Sequence, residues 1–480
     1  MKREFLINII FLLGINLLIK PFYIFGIDRT VQNMVAPGVY GIYFTLYNFT
    51  YLFQIINDFG IQNFNNRNIA QYRQLIHKYF PNILILKGLL GVLYLLAILI
   101  AGILVGYTPF LKLMMLIGFN WLLNALVLYL RSNISGLGLY RLDSLVSVLD
   151  KLLLILVCSI LLWANPWQEA FRIEWFVYAQ TFSLSITAAI AFMIVLPRLT
   201  RLRFRFQPAF LWLTLKRSYP YALVIFLMTA YTRIDSVMIE RMLPDGPLEA
   251  DLYASAYRLL DASNMIGFLF AGLLLPMFAR LIKEQGDFAE LAQTSLQFIW
   301  VGAITLCCVC WFFQEDIMVL LYNNGSAYSG KILAYLMLSF VAISGSYIFG
   351  TLLTANGSMM QMNRLFVVGL LLNLLLNILL IPTQKALGAA IATCATQFFV
   401  LIGQIVLARQ LLKVQIKIPA WLRLVGFSIC ICLSTWLISH FFPTNWIVNF
   451  LLSITAAIPL AFLFQLMDIS QLSRQAFSKP

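Results

Sequence analysis

The sequence predicts an all-α integral membrane protein of about fourteen transmembrane helices. Three observations predict it: an extreme apolar composition, a chain-long series of apolar runs, and basic residues confined to alternate gaps between those runs. Of 480 residues, 61% are hydrophobic and only 11% charged, with a mean hydropathy of +0.88, whereas a soluble domain carries about 25% charged residues. A water-soluble fold is excluded. The 33 basic against 19 acidic residues leave a net charge of +14, yet they lie between apolar runs and form no basic patch, so nucleic acid is not an expected partner. Cys158, Cys307, Cys308, Cys310, Cys394, Cys430 and Cys432 fall inside apolar stretches, where neither a disulfide nor a zinc site is expected. His77 and His440 are too few and too distant for a metal cluster or a histidine-based enzyme, and no cofactor is expected.

About 20 mostly apolar residues carry a helix across roughly 30 Å of hydrocarbon. The first such run, 5–26, follows Lys2 and Arg3, is longer than a signal-peptide core and lacks a small-residue cleavage site, so it is expected to be retained. Spans at 38–60, 80–104, 109–130, 145–164 and 174–196 follow, with a tight joint near 107. After a longer polar gap come 217–240, 253–276, 293–313, 331–353 and 365–382, the last stopped by Pro382. The series closes with 386–408, 421–442 and 445–467, joined tightly near 384 and 443.

Lys and Arg gather in cytoplasmic loops. With a cytoplasmic N-terminus, the inside segments hold 22 of the 33 basic residues and the spans six. The outside loops hold five: Arg29, Arg172, Arg241, Lys331 and Lys385. The acids fall six inside, nine outside and four in spans, giving net charges of +16, −4 and +2. Both termini are therefore expected in the cytoplasm, with the chain multi-pass in the cytoplasmic (inner) membrane. The longest loop, near 197–216, carries Arg198, Arg201, Arg203, Arg205 and Lys216. It is read as a topology determinant on anionic headgroups and a mid-chain linker; no loop is long enough for an extramembrane catalytic domain, and an enzyme is not expected.

Two hairpins read alike. Ile27-Asp28 precedes Val39-Tyr40-Gly41-Ile42-Tyr43, and Ile234-Asp235 precedes Leu252-Tyr253-Ala254-Ser255-Ala256-Tyr257. Six intervening spans, an even number, make this a parallel repeat. At 373–396 a helix bearing Asn373 and Asn377 stops at Pro382, and Gly388, Ala392 and Thr396 then recur every four residues as a small-residue face. With Lys20-Pro21-Phe22-Tyr23 through Gly41 and Arg233-Ile234-Asp235, this block resembles the O-antigen-type polysaccharide flippases of the multidrug/oligosaccharidyl-lipid/polysaccharide exporter superfamily. Lys385 departs from the glycine often found at that proline turn. The resemblance implies two six-helix lobes around a central cavity, 1–205 and 206–410, and two further helices in 411–480. It also implies transfer of a polyprenyl-diphosphate-linked oligosaccharide to the outer leaflet, the lipid-linked oligosaccharide and the bilayer being the partners, in a monomer.

An ionisable group at bilayer depth costs about 2.5–3.5 kcal/mol on insertion scales and needs a reason. Lys20, Lys87, Lys112, Lys151, Arg233 and Arg258 are the basic candidates. Lys112 and Lys151 lie near span ends and are expected to snorkel. Asn16, Lys20 and Tyr23 share a helical face, and Arg258 and Asp261, three apart, are placed to pair. Lys20, Arg233 and Arg258 are the expected substrate-binding cations, because a diphosphate favours charge-assisted hydrogen bonds in a partly dehydrated cavity. Tyr51, within a stripe of Tyr47, Tyr51, Gln54 and Asp58, and Asn124, with Asn120 and Arg131 on span four, suit sugar faces and hydroxyls. Asp58, Asp235 and Asp261 are the deep carboxylates able to take up a coupling H+ or help bind Na+. The rival readings are a multidrug cation/proton antiporter on the same fold, a flippase for the cell-wall precursor, and a membrane glycan polymerase or ligase, which lacks here its large outer loop.

Overall fold

The computed structural model describes residues 14–16, 18–61, 65, 76–164, 170–198, 208–414, 418–442 and 445–466. Among them every regular element is helical. Eleven helices among the described residues are long and apolar enough to cross a membrane. They contain the third to fourteenth predicted spans, because one helix of 54 residues, Met359–Leu412, holds two of them across a kink at Lys385. The chain divides into two compact units, Met1–Ala254 and Ser255–Pro480.

In the first unit, the helix that carries Asn16 and Lys20 widens into a π-helical turn at Tyr23–Asp28, just past Pro21, and continues as α1 (Arg29–Met34). Proline removes a backbone donor, and such local widening is a usual response. The second predicted span is not continuous. It splits into α2 (Val39–Leu52) and α3 (Gln54–Asp58) at Phe53, and ends at Phe59 with a left-handed φ of 48°. The Thr50 carbonyl at this break accepts from the Tyr94 hydroxyl at 3.1 Å, which keeps a buried acceptor satisfied. The unit continues with α4 (Ile76–Val105), α5 (Leu111–Gly136), α6 (Tyr140–Ser159), α7 (Ile173–Val195) and α8 (Pro208–Met242), then the start of α9 (Gly246–Lys283).

Helix α2 is fixed against α8 by Asn48 Nδ2, which donates to Ser236 Oγ at 2.9 Å, and by Thr45 Oγ1, which donates to the Ser236 carbonyl at 3.3 Å. Its N-terminus is held by α9. Gly38, with a left-handed φ of 82°, turns the chain so that its N–H donates to Asp251 Oδ2 at 3.1 Å. Gln32 Nε2 donates to Asp251 Oδ1 at 2.7 Å. The backbones approach so closely that a Cβ on Gly41 would run into the Pro247 carbonyl oxygen and lie 2.7 Å from the Asp251 nitrogen. A second tie forms where Tyr107 Oη donates to Glu240 Oε2 at 3.0 Å, Arg241 pairs with Glu240 at 2.7 Å, and the Arg241 guanidinium covers the Tyr107 ring at 3.9 Å.

In the second unit, α9 leads into α10 (Phe288–Phe312), α11 (Gln314–Leu321), α12 (Ala327–Ala355), α13 (Met359–Leu412), α14 (Ile418–Phe441) and α15 (Trp446–Leu463). Ser326 and Ser329 form a reciprocal cap that starts α12. At the kink in α13, Lys385 adopts φ 54°, ψ −134°, a conformation glycine takes without strain. The predicted small-residue face brings the two halves of α13 together: Gly388 lies against the Leu380 carbonyl, and Thr396 and Val400 face Gly369. Trp300 Nε1 donates to Ser428 Oγ at 3.0 Å and joins α10 to α14.

The close approach at Gly41 sets a direct test. Gly41→Ala should lower the melting temperature of the purified protein in detergent, by the equivalent of about 1–3 kcal/mol expected for overpacking. Gly88→Ala, on α4 with nothing within 4 Å of its added Cβ, should leave it unchanged.

Candidate functional site

Helices α2 and α5 bring five aromatic rings into one ladder. Tyr40, Tyr43, Tyr47 and Tyr51 recur every three or four residues, which keeps them on one face of α2. Ring centroids lie 5.4 Å apart for Tyr40 and Tyr43, and 6.0 Å for Tyr43 and Tyr47. Trp121 of α5 then fits between the last two tyrosines, 4.8 Å from Tyr47 and 4.4 Å from Tyr51. At this end the Arg233 guanidinium of α8 lies over the Tyr51 ring at 5.8 Å, within cation–π range. The Tyr40 end is buried structure, with Gln180 Nε2 donating to Tyr43 Oη at 2.8 Å. Tyr47, Tyr51, Trp121 and Arg233 are only half-buried.

Arg233 and Tyr51 are thus brought together. Asn124 is half-buried three residues beyond Trp121, on the same face of α5. Trp121 was not singled out from sequence, although its spacing from Asn124 carries the signal. Asn120, one residue from Trp121, is occupied elsewhere: it donates to the Val177 carbonyl at 3.2 Å and accepts from Thr181 at 2.6 Å, joining α5 to α7.

A second charged group lies where the first helix meets α6. Asn16 Nδ2 donates to Ser147 Oγ at 3.2 Å, and one turn later Lys20 comes within electrostatic reach of Lys151, Asp150 and Arg131. Lys151 Nζ is 3.2 Å from Asp150 Oδ2 and 4.8 Å from the Tyr23 ring centroid, and it also feels Tyr47 and Asp28. The Lys151 ammonium is held by the neighbouring Asp150 carboxylate and lies over the Tyr23 ring. Arg131 is engaged by Asp143 through two contacts of 2.8 and 3.4 Å.

The remaining predicted residues fall apart in space or into pairs. The expected stripe from Tyr47 to Asp58 is divided by the break at Phe53, and Asp58 is ion-paired with buried Lys87, which also donates to the Asn57 carbonyl at 3.4 Å. Arg258 and Asp261 pair at 3.7 Å one turn apart in the second unit, as their spacing predicts. Asp235 is fully buried and accepts from Tyr253 Oη at 2.9 Å, while Asp28 accepts from Tyr40 Oη at 2.7 Å. The two similar hairpins therefore share one hydrogen bond, a buried carboxylate receiving a phenol. Asn377 Nδ2 donates to Asn373 Oδ1 at 3.1 Å within α13.

Chemically, a guanidinium beside half-exposed rings offers charge-assisted hydrogen bonds to an anion and flat apolar faces to a sugar. The Asp58–Lys87 pair is a structural tie between α3 and α4. Asp58→Asn should destabilise the folded protein by about 3–5 kcal/mol, the penalty of stranding a buried cation, read as a lower thermal midpoint in detergent. Asp58→Asn combined with Lys87→Met should recover most of that loss.

A family model described as polysaccharide biosynthesis protein matches residues 5–282. No curated protein matches the chain in sequence. Among solved structures, the lipid II flippase MurJ in an inward closed conformation is similar, with a TM-score of 0.72 at 14% identity over 94% of this chain and 97% of that one. An inward-facing multidrug resistance MATE family transporter of the MOP superfamily gives 0.62 at 13% identity, covering 81% of this chain and 93% of that one. A MOP superfamily transporter from Pyrococcus furiosus, for which reversed binding-pocket polarity suggests a different function, gives 0.59 at 14% identity over 84% and 93%. At such identities the likeness establishes the fold.

Proposed function

This chain belongs to the polysaccharide biosynthesis protein family and has the MOP-superfamily transporter fold, and on that premise we propose that it flips a polyprenyl-diphosphate-linked oligosaccharide across the cytoplasmic membrane, for polysaccharide or O-antigen assembly. The observation that carries this reading is Arg233 lying over Tyr51 at the half-exposed end of the aromatic ladder. An amphipathic drug cation would be suited by acids there, and a guanidinium repels it. A diphosphate needs the guanidinium, and the sugar joined to it suits the neighbouring Trp121 and Tyr47 faces, with Asn124 offering an amide to its hydroxyls.

In this reading the headgroup enters from the cytoplasm, is held by Lys20, Arg233 and Arg258, and leaves outward as the lobes 1–205 and 206–410 rock in alternating access. The lipid tail stays in the bilayer. The protein acts as a monomer with both termini cytoplasmic. Coupling to H+ or Na+ falls to Asp58, Asp235 or Asp261, of which Asp58 pairs with Lys87, Asp261 with Arg258, and Asp235 accepts from Tyr253.

Arg233→Ala, expressed to the wild-type level in a flippase-null cell, should cut surface polysaccharide at least tenfold, about the loss of one charge-assisted contact. Tyr51→Ala should give a partial defect. Unchanged polymer with Arg233→Ala would defeat the site. Deletion that sensitises cells to cationic dyes and leaves surface glycan intact would favour the multidrug antiporter instead.

A further inference from the structure

Asp251 is a buried acid that the proposed transport route leaves unused. It lies in the second turn of α9 with 6% of its surface exposed. Its Oδ1 accepts from Gln32 Nε2 of α1 at 2.7 Å, and its Oδ2 accepts from the Gly38 N–H at the start of α2 at 3.1 Å. Both donors are neutral. The charged and titratable groups on the surrounding elements are engaged elsewhere. Asp28 accepts from Tyr40, Tyr43 accepts from Gln180, Asp235 accepts from Tyr253, and Glu240 pairs with Arg241. Arg29, Asp245 and Glu249 have partners other than Asp251. Among the described residues, no cation lies within ion-pair distance of the Asp251 carboxylate. Burial without a cation penalises a charged carboxyl group, and two neutral donors offset only part of that penalty.

A second observation lies on its partner. Gln32 Oε1 is buried and accepts no hydrogen bond among the described residues. A carboxyl group has one thing to give an acceptor, a proton: with the Gln32 amide turned end for end, the acid form of Asp251 donates to Oε1. We infer that Asp251 is a proton-binding site, and that the proton works the tie between α2 and α9. Ionised, the carboxylate holds the Gly38 N–H by a charge-assisted hydrogen bond, about twice as strong as a neutral one, and places a negative charge at the N-terminus of α2, where the helix dipole favours it. Protonated, it turns to Gln32 and leaves that N–H to a neutral oxygen. The start of α2 is therefore held at high pH and loosened at low pH, while α1 stays joined to α9 through Gln32. This inference does not depend on what the protein carries.

The full-length protein in phosphatidylcholine nanodiscs tests it. Spin labels are placed at Ala36→Cys and Pro244→Cys, both exposed turn positions, after the seven native cysteines are replaced. As the pH falls from about 8 to about 5, where a perturbed carboxyl group can titrate, double electron–electron resonance should show a longer label separation growing beside the short one. Asp251→Asn, which fixes the neutral form, should show the longer separation across the whole range. In the unlabelled protein, pH-difference infrared spectra should gain a protonated-carboxyl band that is lost in Asp251→Asn and kept in Glu240→Gln. An unchanged separation in the labelled protein carrying native Asp251, a band that survives in Asp251→Asn, or one that vanishes in Glu240→Gln would each overturn the assignment.

Discussion

The hydrocarbon core tolerates few bare charges, and this intolerance organises the first unit. Asp58 is answered by Lys87, Asp143 by Arg131 and Asp150 by Lys151. Asp28 and Asp235 each receive a phenol hydroxyl. In a low dielectric such contacts are strong because the alternative is an unsatisfied group with no water to turn to. Beside these pairs, Lys20 lies half-buried one turn beyond Asn16, and the Arg233 guanidinium lies over the Tyr51 ring.

The same unit carries a second group of polar contacts at its turns. Three turns, between α1 and α2, α4 and α5, and α8 and α9, are tied by Asp251 to Gly38 and Gln32, and by Glu240 and Arg241 to Tyr107. These are a few directional contacts around glycine-enabled close approaches. These contacts lie apart from the apolar core around Phe80, Tyr129 and Ile83. Asp251 and Tyr107, which carry these ties, are far less conspicuous in the sequence than the deep lysines.

Much of the fold was legible because hydropathy and helix length are one-dimensional. The third to fourteenth spans match their predicted limits to within a few residues at most ends, and even the Lys385 departure from glycine proved to mark the kink. The paired Asp-Tyr hairpins were legible as a repeat, though not as a hydrogen bond. What the sequence did not carry was partnership across helices. The break at Phe53 redirects Asp58 towards Lys87, and no local pattern announces it. Nor does spacing announce that the Lys151 ammonium lies over the Tyr23 ring beside Asp150. Trp121 looks like ordinary core until Tyr47 and Tyr51 enclose it.

The central claim is that cations held at bilayer depth recognise the charge of a lipid-linked headgroup as it crosses. Reconstitution into liposomes tests it most directly, with leaflet exposure of the sugar followed by glycosidase accessibility for two substrates that differ only in the link, a diphosphate or a neutral ether. The account predicts that the diphosphate form reaches the far leaflet and the neutral form does not. Equal transfer of both would contradict it.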